Sequence, residues 1–129
     1  MQSVDDAEGD AEFEQGSYEA KLRSSISRAY YAAFSNAKYY IEDVDHTQVP
    51  KEHAHTYVVD YFKGYGPGRK KGNRKRNKIG KDLNRMLNKR VMADYQRESV
   101  SSLRILLSEA EDVLIRSEKV ITELSRGGF

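Results

Sequence analysis

The sequence predicts an all-α protein, an antiparallel up-and-down four-helix bundle. Apolar residues recur at helical spacing in four segments, no stretch alternates apolar and polar residues as a half-buried strand does, and mostly short breaks separate the segments. At 129 residues the chain has the length of one domain and can bury a core of moderate size.

The first segment runs from about Ser17 to Asp43, with Tyr18, Leu22, Ile26, Ala29, Tyr30, Ala33, Phe34, Ala37, Tyr40 and Ile41 at helical spacing. A helix of that length spans roughly 40 Å. Its small residues, concentrated in Ser27-Arg28-Ala29-Tyr30-Tyr31-Ala32-Ala33-Phe34, let a second helix approach closely. The acidic residues 1–16 ahead of it are expected to form a flexible tail. Asp45 to Pro50 breaks the pattern. Lys51 to Lys63 reads as a second helix with Tyr57, Val58, Tyr61 and Phe62 on one face, and Gly64-Tyr65-Gly66-Pro67-Gly68 ends it. The third helix is expected from about Asn77 to Val91, with Ile79, Leu83, Met86 and Leu87 inward, which makes 64–77 a basic loop. The fourth runs from about Glu98 to Ser125 on Leu103, Leu106, Leu107, Ala110, Val113, Leu114, Val120 and Leu124, and Gly127 stops it. The bundle so defined covers residues 17–126.

Composition excludes several classes. There is no cysteine, so neither a disulfide framework nor a thiolate metal site is possible. No apolar run approaches the roughly 18 residues of a membrane span, and no signal-peptide pattern opens the chain, so the expectation is a cytoplasmic protein without a membrane partner. Nine tyrosines and no tryptophan suit a half-buried interface as well as a core. His46, His53 and His55 cluster in sequence. His53 and His55 point to different sides of a helix and no dense acid cluster accompanies them, so no metal is expected, nor any other cofactor.

A net charge of +2 hides a strong asymmetry. Residues 1–19 carry seven acids and no base, whereas residues 63–90 carry twelve bases and the single acid Asp82. Three readings of the basic segment stand open. It is a solvated loop; or it binds a polyanion, with Arg69, Lys70, Lys71, Arg74, Lys75, Arg76 and Lys78 meeting phosphates; or the acidic N-terminus folds over it. At its end, Arg90-Val91-Met92-Ala93-Asp94-Tyr95 brings together an arginine, a carboxylate and a phenol. Arg90 and Asp94, four apart, can form a helical ion pair worth about 0.3–0.5 kcal/mol. An arginine near a helix C-terminus also has a purely structural use against the dipole.

Ser27–Phe34, His55-Thr56-Tyr57-Val58-Val59-Asp60-Tyr61-Phe62, and Leu87, Arg90, Ala93, Asp94 and Tyr95 occur in an order and spacing that resembles the HEPN domain family. The resemblance covers about residues 17–125. It implies a dimerising helical bundle and, in many relatives, a metal-independent endoribonuclease acting as a toxin or in phage defence, often with a nucleotidyltransferase partner. Catalytic relatives carry Arg, four to six residues, then His. Here Arg90 matches the arginine but Tyr95 stands where the histidine is expected, and no histidine follows Arg90. A phenol of pKa about 10 is only roughly 0.1% ionised at pH 7, so it is a poor base. The resemblance therefore implies Arg90, Asp94 and Tyr95 as the catalytic set and a homodimer cleft drawing on Arg28, Asn36 and His55, with RNA as the target. The alternative is a non-catalytic interaction module or accessory subunit that binds a nucleotidyltransferase or another defence protein.

Overall fold

A computed structural model describes residues 4–65, 74–95 and 103–129, with side chains placed from residue 16 onward except that of Tyr95. The helices are α1 (Val4–Tyr39), α2 (Ala54–Lys63), α3 (Arg74–Tyr95) and α4 (Leu103–Arg126), and a π-helical turn, Tyr40–Val44, closes α1. They pack as a four-helix bundle, and no strand occurs among the described residues.

Several boundaries differ from the sequence expectation: α2 begins at Ala54 rather than Lys51, α3 runs on to Tyr95 rather than ending near Val91, and two helix starts move acidic and basic residues into helices. The first helix begins at Val4 rather than near Ser17, so the acidic stretch forms its opening turns, the end of a helix where the dipole favours carboxylates. The third begins at Arg74 rather than Asn77, so Arg74, Lys75 and Arg76 belong to its first turn and not to a loop. Arg69, Lys70 and Lys71 lie outside the described residues. At the end of α2, Gly64 takes the left-handed conformation at φ 81°, which lets the Tyr65 N–H close back on the Asp60 carbonyl at 2.9 Å.

Side-chain contacts fix the helix directions. Tyr30 meets His55 at 5.5 Å and Tyr40 meets Phe62 at 6.2 Å, so α1 and α2 run the same way. The Ser117 hydroxyl donates to the Ala29 carbonyl at 2.7 Å and Tyr40 stacks on Phe129 at 5.2 Å, so α4 runs with them. α3 runs against all three, with Arg76 beside Tyr40 and Arg90 beside Tyr30. Up-and-down alternation thus holds from α2 through α4. Between α1 and α2, residues 45–53 carry the chain back along the bundle before α2 starts. The widened turn that begins this return is held by the Asp45 N–H on the Tyr40 carbonyl and the Thr47 N–H on the Ile41 carbonyl, and buried Val49 pins it to the core.

The core is built from Ile26, Tyr30, Ala33, Ala37 and Ile41 of α1, Val58 and Phe62 of α2, Ile79, Leu83 and Met86 of α3, and Val113 and Val120 of α4. The alanines do what their size predicts: with no bulk at Ala29, Ala33 and Ala37, α4 comes near enough for a serine to bond the α1 backbone. Tyr18, Leu107 and Leu114, grouped with the apolar stripes by spacing, face outward instead.

One charged side chain lies deep in this core. Arg76 is 2% exposed, and its guanidinium carbon sits 5.4–6.0 Å from the rings of Tyr40, Tyr61, Phe62 and Phe129. It donates to Asp45 Oδ2 at 3.1 Å and to the Phe129 main-chain oxygen at 3.1 and 3.3 Å, while the Tyr61 hydroxyl donates to the same Asp45 oxygen at 2.7 Å. A nucleic-acid role for Arg76 is therefore corrected: its donors are spent inside the protein. Gly80 of α3 sits close against α2. A Cβ there would come within 2.8 Å of Lys63 Cγ and 3.0 Å of the Val59 carbonyl oxygen.

Arg76→Ala strands Asp45 and should cost about 3–5 kcal/mol in urea unfolding. Gly80→Ala gains helix propensity but must push α2 and α3 apart, and the same measurement should show a net loss of about 1–3 kcal/mol. Stability equal to wild type in Arg76→Ala would mean that the buried pair does not hold the fold.

Candidate functional site

Tyr30, Tyr31 and Phe34 lie on consecutive turns of α1, and the arrangement of helices brings one polar residue from each of two neighbours against them. Running parallel to α1, α2 sets His55 in its first turn at the level of Tyr30 and Phe34. Running antiparallel, α3 brings Arg90, near its C-terminal end, to the same level. The His55 ring lies 4.3 Å from that of Phe34, 5.5 Å from Tyr30 and 5.8 Å from Tyr31. The Arg90 guanidinium lies 4.7 Å over Tyr31 and 6.0 Å from Tyr30, within the range of cation–π attraction.

Polar contacts define the chemistry of this cluster. The Tyr30 hydroxyl oxygen is 2.6 Å from His55 Nδ1. A ring protonated on Nε2 accepts the phenol proton at Nδ1, and a ring protonated on Nδ1 donates to the phenol oxygen. Burial pushes the Tyr30 phenol far above its usual range, an effect partly opposed by the charge of Arg90, so it stays protonated throughout the physiological range. His55 is shifted the other way. Burial, and then the nearby Arg90 charge, lower its pKa below the ordinary 6.5, which leaves a neutral imidazole at pH 7. Arg90 Nε is 3.5 Å from Asp94 Oδ2, an i,i+4 pair, yet it is buried with no hydrogen-bond partner among the described residues. The Arg90 side chain keeps 24% of its surface open. A guanidinium backed by an aromatic face and partly open on the other side is suited to an anion such as phosphate.

The cluster thus combines a neutral base, a phenol that holds its proton, and a cation. The resemblance implied Arg90 and Asp94 as catalytic residues and His55 as a cleft residue; the structure pairs Arg90 with Asp94 and packs Arg90 and His55 against the same two tyrosine rings. It does not bring Arg28 or Asn36 with them. Both are exposed, and Asn36 donates to its own helix at the Ala32 carbonyl, 2.8 Å away. At about 100° per residue Asn36 lies roughly 120° around α1 from Tyr30. Tyr95 ends α3, and its side chain lies outside the described residues. Tyr30 and Tyr31 are the pair that joins His55 to Arg90. Among the described residues no group of three or more His, Asp or Glu gathers to hold a metal ion, and no helix is long and apolar enough to cross a membrane.

A second polar surface lies on the outer face of α3. Arg74, Lys75 and Lys78 are exposed there, whereas Arg76, in the same turn, is turned inward. Ion pairs between α3 and α4 continue this face: Arg116 bonds Asp82 at 2.7 Å, Arg85 pairs with Asp112 at 3.4 Å, and Lys89 pairs with Glu109, while within α4 Arg116 also bonds Asp112 at 3.0 Å.

No family model, curated protein or solved structure matches the chain.

His55 should titrate below 6.5 when its ring proton is followed by NMR, and Arg90→Gln should raise that midpoint by removing a like charge. The folded protein then binds fewer protons than the unfolded chain in this window. This group should therefore make stability fall as pH drops through 6.5 toward the folded midpoint and leave it unchanged above. A His55 midpoint at or above 6.5 would remove the buried, Arg90-coupled environment.

Proposed function

We propose that this chain is an HEPN-like RNA-interacting protein, a metal-independent endoribonuclease of the toxin or phage-defence type, in which His55 takes the place of the histidine missing after Arg90. The observation that carries this reading is that His55 and Arg90, far apart in sequence, both pack against Tyr30 and Tyr31. RNA cleavage through the 2′-hydroxyl needs a base for that proton and positive charge at the phosphate. A neutral His55 serves as the base, and Arg90, steadied by Asp94 and the Tyr31 face, holds the phosphate. The attack forms the 2′-O–P bond, breaks the P–O5′ bond and leaves a 2′,3′-cyclic phosphate, with a proton passing to the 5′-oxygen. Tyr95, one residue from Asp94, is the candidate for that donor. The outward-facing tyrosines of α1, Tyr18, Tyr31 and Tyr39, offer a surface on which a second copy can pack, as the resemblance implies, and the homodimer belongs to the same proposal.

A non-catalytic module that binds a nucleotidyltransferase or another defence protein is the second reading. It is favoured by the apolar side chains that α4 leaves in solvent, Leu107, Leu114 and Ile115, the last two 53% exposed.

Cleavage of a labelled RNA should survive EDTA and yield cyclic-phosphate ends. Arg90→Ala and His55→Ala should each slow it by about a hundredfold or more while circular dichroism stays unchanged. A fully active, folded His55→Ala protein would transfer the base role elsewhere. An inactive wild type that captures a nucleotidyltransferase would favour the second reading. Light scattering should give twice the 14.8 kDa chain mass, and a monomer at every concentration would count against the dimer.

A further inference from the structure

The α3 face carries a row of cations that the Arg90 cluster does not use. Arg74, Lys78, Lys81 and Arg85 follow one another at intervals of four, three and four residues, so they form a single stripe along the helix, roughly 16 Å from first to last. All four are exposed. Together with Arg116 of α4 and Tyr65 beyond the end of α2, they line an open groove of about 920 Å³. Asp82 also lines it but is buried and bonded to Arg116 at 2.7 Å, so its charge is answered from within the protein. Among the described residues, Arg74, Lys78 and Lys81 enter no ion pair.

Tyr65 decides what kind of polyanion suits this groove. Its backbone is fixed by the bond to the Asp60 carbonyl, yet its ring is 61% exposed beside the cations. A pinned backbone presenting an aromatic face next to a row of positive charge is the combination that holds single strands: the charges follow the sugar-phosphate backbone and the ring stacks on an unpaired base. In a duplex the bases are already stacked and paired, and Tyr65 would find no free face. An acidic protein segment would satisfy the cations but not the ring.

We infer that the Tyr65–α3 groove binds single-stranded nucleic acid, with Tyr65 stacking on one base and Arg74, Lys78, Lys81 and Arg85 neutralising consecutive phosphates. This rests on the RNA reading proposed above and locates the binding track outside the Arg90–His55 cluster. The track adds Tyr65, Lys81 and Arg85 to the residues that the basic composition alone suggested.

Fluorescence anisotropy with a labelled, uncleavable 2′-O-methyl RNA 12-mer, the same sequence as single-stranded DNA, and the RNA as a duplex tests this with the full-length protein. Both single strands should bind at least tenfold more tightly than the duplex. Tyr65→Leu should weaken single-strand binding about tenfold with the salt slope unchanged. The Lys78→Ser, Lys81→Ser double variant should lower the log–log salt slope by about 1.4. A wild-type protein that does not cleave RNA but binds single strands in a Tyr65-dependent way leaves the groove standing while the ribonuclease reading fails. Duplex binding as tight as single-strand binding, polyglutamate competing as well as RNA, or a folded Tyr65→Leu protein with wild-type affinity would each overturn the inference.

Discussion

A guanidinium is accommodated inside an apolar bundle where a carboxylate and further acceptors replace its water, and Arg76 has both. Its position governs the rest. Asp45 comes from the turn after α1, Tyr61 and Phe62 from α2, Arg76 itself from α3, and Phe129 from beyond α4. Every element of the bundle therefore meets at this one charge. Burying such a pair is not by itself a source of net stability, since the desolvation of two ions roughly offsets their attraction. What it supplies is register: α3 cannot slide or turn on its axis without stranding a buried charge.

Register at Arg76 sets geometry at the opposite end of the same helix. With Asp45 held against Arg76, residues 45–53 must return along the bundle, and α2 starts level with Tyr30 instead of beside the end of α1. That return puts His55 against Phe34 and Tyr30. The antiparallel run of α3 from Arg76 delivers Arg90 to the same rings from the other side. Two consequences for the chemistry follow from placement rather than from residue type. Burial and the Arg90 charge lower the His55 pKa below its ordinary value, and Tyr31 backs Arg90 while leaving part of it open. The exposed cations of α3 are distributed by the same register, because the turn that sends Arg76 inward sends Arg74 and Lys78 to the groove.

Much of the fold was legible in the sequence because helical periodicity is a local signal. Ile26, Ala33, Val58, Leu83 and Val113 all lie where spacing puts them, and Gly64 stops α2 as its residue type demands. Spacing alone gave less at the edges. Leu107 and Leu114 share a stripe with core residues but lie toward its margin, and their exposure depends on where α1 and α3 happen to pack. Arg76 was hidden for a different reason: in a run of bases nothing local distinguishes the one that meets a distant carboxylate. The candidate site was half legible. Arg90 and Asp94 announce themselves by their four-residue spacing, whereas His55 entered only through the family resemblance that implied it in a cleft. That His55 meets Arg90 across Tyr30 depends on the parallel return of α2, a long-range feature with no local signature.

The proposed joint action of His55 and Arg90 is tested most directly by a double-mutant cycle on single-turnover RNA cleavage, using wild type, Arg90→Ala, His55→Ala and the double variant at one pH. If base and cation serve a single transition state around Tyr30, the double variant should be about as slow as either single one, because removing one member already disables the pair. Losses that multiply would contradict a shared site, as would a His55→Ala protein that cleaves at the wild-type rate.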